Sequence, residues 1–162
     1  MVFDKEFMRP YFDLLLRTKG IEQDEQHHPE GDVFIHSMQV LGHALREATN
    51  VDVVFASMLH DVGKIENTLG HEKIGADMIK DLASAKVLWL VENHLRGRLY
   101  ISGEMKRVGK CRELVDHPWF PELVQVMRFD KMGRRKGFVP SYDEDKILDR
   151  INHIAKGQFD NV

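Results

Sequence analysis

The chain has 162 residues, of which 43% are hydrophobic and 30% are charged, a composition typical of one globular domain. Its 23 lysines and arginines against 26 aspartates and glutamates give a formal net charge of −3, which argues against a surface coated in positive charge for sequence-independent nucleic-acid binding. One cysteine excludes an internal disulfide framework and a cysteine-rich zinc site and fits a reducing compartment, whereas nine histidines leave metal binding open.

Neither a membrane span nor a second domain is expected. There is no run of 18 or more apolar residues, and the first six residues carry acidic side chains instead of the apolar core of a secretory signal. We therefore expect a cytoplasmic protein. Repeats, low-complexity tracts and long linkers are absent from the sequence, which predicts a single domain over residues 1–162.

Helical periodicity runs through almost the whole chain, and the alternating pattern of strands is absent. A first helix is expected through Phe7 and Leu15, with Pro10 as a candidate for its first residue, before a polar loop at residues 20–32. Further helical segments are predicted at residues 33–49, 51–61, 71–82, 85–95, 108–115, 121–132 and 143–155, with a looser basic stretch at 96–107. The predicted fold class is all-α, a single bundle of about seven helices.

One segment is apolar on nearly all sides, which predicts that it lies in the middle of the bundle. It follows Asn50, a favourable N-cap residue, and runs from Val51 into the pair His60-Asp61, where Gly63 can stop it. His60 and Asp61 therefore cannot both avoid the interior, and a buried polar side chain is costly unless it is paired.

Asp130 also continues an apolar stripe, because Leu123, Val126 and Met127 lie seven, four and three residues before it. A carboxylate on that face must pair with a cation or bind a metal, unless the end of the helix frays into solvent. The pattern leaves these alternatives open.

Several histidines also lie on helical faces. His94 extends the apolar stripe of its helix, and His71 opens the stripe of another. A single histidine on such a face is more often a hydrogen-bonded core residue than a ligand, but the coincidence with His60 and two carboxylates favours a common site. His36 lies opposite the main apolar stripe of its helix. If His36 is a metal ligand, both faces of this helix must therefore be buried against other elements. Ordinary exposed or partly buried roles are expected for the others: His27, His28, His43, His117 and His153.

Together these residues resemble the H…HD…D signature of the HD-domain metal-dependent phosphohydrolases. The first histidine is His36, the pair is His60-Asp61 within MLHDVGK (58–64), and the distant aspartate is Asp130. The match to one branch, the HD domain of bacterial CCA-adding enzymes (tRNA nucleotidyltransferases), extends to further strings. These are HPEGDVFIH (28–36), GHEKIGA (70–76), VENH (91–94), and HP (117–118) leading to RFD (128–130).

The resemblance covers roughly residues 27–134. The CCA-adding enzymes carry a nucleotidyltransferase domain ahead of this one, whereas about 26 residues precede it here, so we expect that the protein does not add CCA. What the resemblance implies instead is phosphodiesterase and phosphatase action, including the opening of 2′,3′-cyclic phosphates.

The resemblance also implies a metal site. The residues expected to hold one divalent cation are His36, His60, Asp61 and Asp130. Neutral imidazoles and carboxylates do not choose among Mn, Fe, Co, Ni, Zn and Mg. HD enzymes that bind two metals carry additional histidines between the HD pair and the final aspartate, and His71 and His94 resemble these. The resemblance then implies that Asp61 bridges two ions about 3.5–4 Å apart. The alternative is one ion, with His71 and His94 donating hydrogen bonds to a phosphate.

Basic residues near these motifs are expected to bind the substrate phosphate. Lys64 would reach back to a phosphate oxygen and join Asp61 in the catalytic machinery; the alternative is a solvated surface lysine. Two further clusters would attract anionic substrates if they border the site, and are simply solvated otherwise. The first cluster comprises Arg96, Arg98, Lys106 and Arg107, and the second comprises Arg134, Arg135 and Lys136. The members expected to bind substrate are Arg96, Arg98, Arg134 and Arg135.

We therefore expect a stand-alone HD-domain phosphohydrolase that acts on a nucleotide or an RNA-end phosphate. The resemblance favours a 2′,3′-cyclic phosphate as the substrate type. Two other functions stay open: a nucleotidase for (deoxy)nucleoside monophosphates, and a metal-stabilised RNA-binding or regulatory module without turnover. The complete ligand set argues against the module, because losing activity usually needs only one missing ligand.

Overall fold

The computed structural model describes residues 2–160, without the side chains of residues 158–160. This part of the chain is all-helical and contains no strand, which confirms the predicted fold class. It has eight α-helices, one at each helical segment predicted along the chain although the bundle was expected to have about seven, and a short 3-10 helix at Val62–Ile65. The α-helices are α1 (Lys5–Leu16), α2 (Val33–Glu47), α3 (Val51–Leu59), α4 (His71–Met78), α5 (Ala85–Ile101), α6 (Val108–Val115), α7 (Phe120–Met132) and α8 (Glu144–Asp160).

Helix α3 is the central element of the bundle. All residues from Val53 to Leu59 are buried, and α3 packs against α1, α2, α5, α7 and α8. Asn50 caps α3 as predicted, because its side chain accepts a hydrogen bond from the Val53 amide at 3.1 Å. The C-terminal end of α3 therefore delivers His60 and Asp61 into the middle of the molecule.

The first helix runs through Phe7 and Leu15 as predicted, whereas the alternative start at Pro10 is wrong. Helix α1 begins at Lys5, since Asp4 accepts a hydrogen bond from the Phe7 amide and caps the helix there. One predicted boundary in the basic segment was also wrong. Helix α5 does not end at Leu95 but continues to Ile101. The physical reason is Gly97, where an added Cβ would lie 3.1 Å from Leu123 and Met127, so α5 packs closely on α7 there.

Two further boundaries also differ from the prediction. Helix α3 ends at Leu59 and not at Asp61, and the 3-10 helix that follows turns the chain tightly. Helix α4 ends at Met78 and not at Leu82, because Ile79 packs into the core and the Leu82 carbonyl accepts a hydrogen bond from the Tyr11 hydroxyl. Among the described residues, no helix has the length and apolar character required to span a membrane.

Candidate metal centre

Six polar side chains from five elements meet at the end of α3. His36 is on α2, His71 opens α4, His94 is on α5 and Asp130 is on α7, while His60 and Asp61 follow α3 directly. Each of the six is at most 9% exposed. The structure thus brings together the residues that the sequence predicts as metal ligands.

One side of the Asp61 carboxylate faces a first cluster of His36, His60 and Asp130. Asp61 Oδ2 lies 3.3 Å from His60 Nε2 and 3.7 Å from His36 Nε2. Asp130 Oδ1 lies 2.8 Å from His36 Nε2 and 3.4 Å from His60 Nε2. Two imidazoles and two carboxylates therefore surround one point, an arrangement that suits a divalent cation.

The other side of Asp61 faces a second cluster, formed by His71 and His94. Asp61 Oδ1 lies 3.1 Å from His71 Nε2 and 3.7 Å from His94 Nε2. The two Nε2 atoms lie 3.0 Å apart. Asp61 consequently lies between two clusters, with one carboxylate oxygen towards each.

The backbone fixes the tautomer of all four histidines. In each ring Nδ1 donates to a carbonyl oxygen, which can only accept, so Nε2 carries the lone pair when the ring is neutral. The acceptors are Gly133 O at 2.9 Å for His36, Ser57 O at 2.8 Å for His60, Thr68 O at 2.9 Å for His71, and Val91 O at 2.6 Å for His94. Such bonds orient metal-binding imidazoles in known sites.

Two features of these atoms fit a bound cation. His60 Nε2 is buried and makes no hydrogen bond among the described residues, although two carboxylates lie nearby. The Nε2 atoms of His71 and His94 both carry lone pairs when neutral, and at 3.0 Å such a pair repels unless a proton or a cation intervenes. A divalent ion held by these Nε2 atoms and by the carboxylates of Asp61 and Asp130 would satisfy all of these groups.

The electrostatics of the two clusters are coupled. Burial alone favours a protonated carboxyl, but His60 and its neighbours outweigh burial and hold the pKa of Asp61 well below its ordinary value. His36 and His60 likewise lower the pKa of Asp130. Burial favours neutral imidazole, yet the charges of Asp61 and Asp130 raise the pKa of His60 to about 10. Burial lowers the pKa of His94.

Glycines let the elements approach closely enough to build the site. A Cβ on Gly63 would lie 1.9 Å from the His71 carbonyl oxygen, so the 3-10 helix and α4 pack backbone on backbone. A Cβ on Gly133 would lie 2.6 Å from Val40, and this approach puts the Gly133 carbonyl within reach of His36. Helix α2 is buried on both faces, as the role of His36 requires.

Two residues of the loop before α2 belong to this site although the sequence analysis gave them no role there. Glu30 has a fully buried side chain, and its Oε1 lies 3.0 Å from His36 Nδ1 and 2.9 Å from His28 Nδ1. His28, expected to be an ordinary histidine, is 11% exposed at its side chain and borders the space beside Asp61. Neither residue lies in a segment with helical periodicity. The only sequence signal for them is the string HPE (28–30), which precedes helix α2.

A small cavity of about 20 Å³, lined by Asp61, His94 and Asp130 among others, adjoins a cleft of about 880 Å³. His71, Asp130 and Lys64 are among the residues that line both. A space of ~10–15 Å³ is enough for one water molecule, so the small cavity has room for water beside Asp61 and His94.

Three of the five predicted phosphate-binding residues line this space, and two do not. Lys64 is not a solvated lysine: its Nζ donates to Gln23 Oε1 at 2.7 Å and lies 3.4 Å from Asp61 Oδ2. Arg134 donates to the His27 carbonyl at 2.8 Å and lies 3.4 Å from Asp130 Oδ1. Arg98 also borders both cavities.

Arg96 and Arg135 are directed elsewhere. Arg96 donates to Asn93 Oδ1 at 3.1 Å and lies 3.7 Å from Glu113. The guanidinium of Arg135 lies over the Phe138 ring, 5.5 Å from its centroid. These contacts give neither side chain a place in the cleft.

The remaining histidines lie outside the two clusters. His27 and His153 are exposed, and His117 stacks on Trp89 with ring centroids 3.9 Å apart. His43 is partly buried and accepts a hydrogen bond from Arg46 at 3.0 Å. These positions agree with the ordinary roles expected for them.

Comparison with known proteins now identifies the family. The HD domain signature matches residues 33–135, a span that contains Asp61 and the five side chains of the two clusters. The chain belongs to the HD domain family. Members of this family are generally metal-dependent hydrolases, and they bind divalent metals.

Curated relatives of this HD domain include larger bacterial proteins named Multifunctional CCA protein. The one from Cupriavidus necator (strain H16) is 29% identical over 147 residues, an alignment that covers 78% of this chain and 36% of that protein. The one from Burkholderia mallei (strain SAVP1) is 34% identical over 135 residues, which covers 71% of this chain and 33% of that protein. The chain therefore spans about a third of the length of the curated relatives it matches.

Proposed function

We propose that this HD domain is a metal-dependent phosphohydrolase that acts on nucleotides or on phosphates at RNA ends, with 2′,3′-cyclic phosphates as the preferred type. One observation carries the proposal: Asp61 lies between two histidine clusters and lines a small cavity whose wall also includes Lys64 and Arg134. The likeness to proteins named Multifunctional CCA protein supports an RNA-end or nucleotide substrate.

Hydrolysis adds the oxygen of a water molecule to phosphorus, breaks the ester P–O bond, and delivers a proton to the leaving oxygen. A divalent cation supplies a Lewis acid that lowers the pKa of a nearby water and polarises the phosphoryl oxygens. His36, His60, Asp61 and Asp130 would hold it, and the other residues of the site position the substrate.

The basic residues around the small cavity would bind the phosphate. Lys64 is held beside Asp61 by its bond to Gln23 and can donate to a phosphate oxygen by exchanging that partner. Arg134 donates a hydrogen bond to the His27 carbonyl, which holds its guanidinium group beside Asp130. Arg98, on α5, adds a third positive charge to the lining of the small cavity.

We propose that the site holds two ions, one at each cluster, with Asp61 between them. The Oδ1 and Oδ2 atoms of Asp61 face different clusters, and the Nε2 atoms of His71 and His94 lie 3.0 Å apart. His71→Ala should then remove one of two ions and Asp61→Ala both. Elemental analysis of the purified variants measures this, and a single ion in the wild type that survives His71→Ala favours the one-ion alternative.

A panel of phosphate esters tests the proposed hydrolase activity directly. Wild-type protein and Asp61→Ala are incubated with 2′,3′-cyclic nucleotides, linear nucleoside monophosphates and an RNA bearing a terminal phosphate, and the released products are identified. Asp77→Ala, which removes a carboxylate 75% exposed on α4, is the matched control. We expect hydrolysis by wild type and control and none by Asp61→Ala.

The products distinguish the alternatives. Preferential release of phosphate from nucleoside monophosphates would indicate a nucleotidase. If metal-loaded protein hydrolyses no phosphate ester in the panel, the proposal fails and a metal-stabilised binding module is the better description.

A further inference from the structure

The segment after α7, residues 133–138, supplies two groups to the site. The carbonyl of Gly133 accepts the hydrogen bond from His36 Nδ1 at 2.9 Å. Arg134 lines both the small cavity and the cleft, whereas the guanidinium of Arg135 is directed elsewhere. The conformation of this segment therefore decides which of two consecutive arginines reaches the cleft.

The segment has little backbone structure of its own to fix that conformation. The Gly133 amide donates to Phe129 O at 3.0 Å and ends α7. Within the described part of the chain, no backbone group of residues 134–138 bonds to another backbone group. Because backbone amides and carbonyls need hydrogen-bond partners when they are buried, contacts with side chains must hold the segment in place.

Gln39, on α2, makes these contacts with a single side chain. The residue is only 3% exposed. Its Nε2 donates to Arg135 O at 2.9 Å and to Phe138 O at 2.7 Å, and its Oε1 accepts from the Arg135 amide at 2.9 Å. Since a carbonyl oxygen only accepts and an amide N–H only donates, neither a carboxylate nor an apolar side chain can make this set of bonds.

Gln39 also shares a side of α2 with two residues that contact the start of the segment. It follows His36 by three residues, and Val40 follows His36 by four, so the three side chains are neighbours on the helix. His36 bonds to the Gly133 carbonyl, and a Cβ on Gly133 would lie 2.6 Å from Val40 Cγ2. The helix that carries a predicted metal ligand therefore also holds the segment that carries Arg134.

We infer that Gln39 is a positioning residue: by holding the backbone of Arg135, it turns the guanidinium of Arg134 towards a phosphate in the small cavity. The inference rests on the proposed function, which puts the phosphate beside Arg134. Gln39 acts through Arg134 and is not itself a ligand of the phosphate. All three hydrogen bonds that its side chain makes with described residues go to this one segment, so they restrain the direction of Arg134.

The test measures how much of the effect of Gln39 on phosphate affinity passes through Arg134. Protein saturated with divalent metal is titrated calorimetrically with inorganic phosphate, so the readout does not depend on turnover. The variants are Gln39→Met, which keeps the approximate size and loses the hydrogen bonds, Arg134→Ala, and the double variant. Gln125→Met is the matched control, because the Gln125 amide likewise bonds to a distant residue, Thr49, at 2.9 and 3.2 Å.

We expect Gln39→Met to weaken phosphate binding about fivefold or more and Arg134→Ala about tenfold or more. The double variant should bind phosphate no more weakly than Arg134→Ala, because Gln39 then has no guanidinium to position. Gln125→Met should keep the wild-type affinity, even where denaturant unfolding shows that it loses as much stability as Gln39→Met. If Gln39→Met does not fold, Gln39→Glu replaces it in the test, since it keeps the acceptor for the Arg135 amide and loses both donors.

Three results overturn the inference. The first is wild-type phosphate affinity in the folded Gln39 variant, and the second is a double variant in which the two single losses multiply. The third is a wild-type protein that binds no phosphate when loaded with metal. An equal loss of affinity in Gln125→Met also overturns it, because the effect then follows from stability alone. If the affinities are as expected but no phosphate ester is hydrolysed, the proposed function alone fails.

Discussion

Gly63 and His71 are in backbone contact: a Cβ on Gly63 would lie 1.9 Å from the His71 carbonyl oxygen and 2.7 Å from the amide nitrogen of Gly75. This contact fixes the start of α4 against the 3-10 helix that follows Asp61. His71 Nε2 consequently lies 3.1 Å from Asp61 Oδ1. The second cluster therefore depends on a glycine that binds nothing itself.

The variant Gly63→Ala tests this dependence. Because the obstacle is backbone and not a flexible side chain, we expect a loss of about 1–3 kcal/mol in the free energy of unfolding and weaker metal binding at His71 and His94. Denaturant unfolding and elemental analysis measure the two effects. Gly109→Ala, where nothing lies within 4 Å of the added Cβ, is the control and should be neutral or stabilising by up to about 1 kcal/mol. Equal behaviour of the two variants would contradict this explanation.

Glu30 should tune the first cluster without touching the metal. Its Oε1 lies 3.0 Å from His36 Nδ1, and a carboxylate in that position orients the ring and increases its basicity. We expect Glu30→Gln to weaken metal binding about 10–100-fold, as measured by competition with a chelator of known affinity. Glu25→Gln on the exposed part of the same loop is the control. Unchanged affinity in Glu30→Gln would show that the Gly133 carbonyl alone positions His36.

Metal binding should release protons and strengthen as the pH rises. The carboxylates raise the pKa of His60 to about 10, so without metal this ring is protonated at neutral pH. A cation binds only the neutral ring, and it must therefore displace that proton. Below pH 10, one displaced proton makes the apparent affinity about tenfold stronger for each unit of pH.

Calorimetric titration in buffers of different ionisation enthalpy counts the released protons. Metal is titrated into metal-free protein at pH 7, and the observed heat should vary with the buffer with a slope of about one proton or more. A heat that is independent of the buffer would mean that His60 is already neutral before the metal binds.

Arg134 should matter for substrate binding because it lies beside the ligands and lines the cleft. Its guanidinium is 3.4 Å from Asp130 Oδ1, and removal of a charged hydrogen-bond donor to phosphate costs about 1.5–3 kcal/mol. We expect Arg134→Ala to lower kcat/KM by roughly 10–100-fold, mainly through KM. Arg128→Ala, which removes an exposed arginine facing Glu47, is the control. A kcat/KM for Arg134→Ala equal to that of the control would exclude a substrate role.

Much of the fold could be predicted from the local pattern of apolar and polar residues along the chain. The apolar stripes predicted the helices, and the polar residues on those stripes proved to meet at one point, because a helix that buries one face carries every residue of that face inwards. The extension of α5 to Ile101 escaped prediction because its basic residues resemble a loop. The helix continues because Gly97 lets it pack closely on Leu123 and Met127, a contact with a distant segment that the local pattern does not contain.

The parts of the site that sequence could not predict depend on contacts between distant segments. Glu30 and His28 lie in a loop with no periodicity, so nothing in the pattern indicates which way they face. Gly63 was expected to stop a helix, whereas its main effect is the close approach of α4. Neighbouring arginines also diverge: Arg134 reaches the cleft while Arg135 lies over Phe138.

Reconstitution of metal-free protein tests the central claim most directly. The protein is stripped with a chelator, divalent metal is added back in measured equivalents, and hydrolysis of a 2′,3′-cyclic nucleotide is followed at each step. We predict no hydrolysis without metal and a rise that levels off at two equivalents. Hydrolysis that persists in the stripped protein, or that never appears with any divalent metal, would contradict the assignment of a metal-dependent phosphohydrolase.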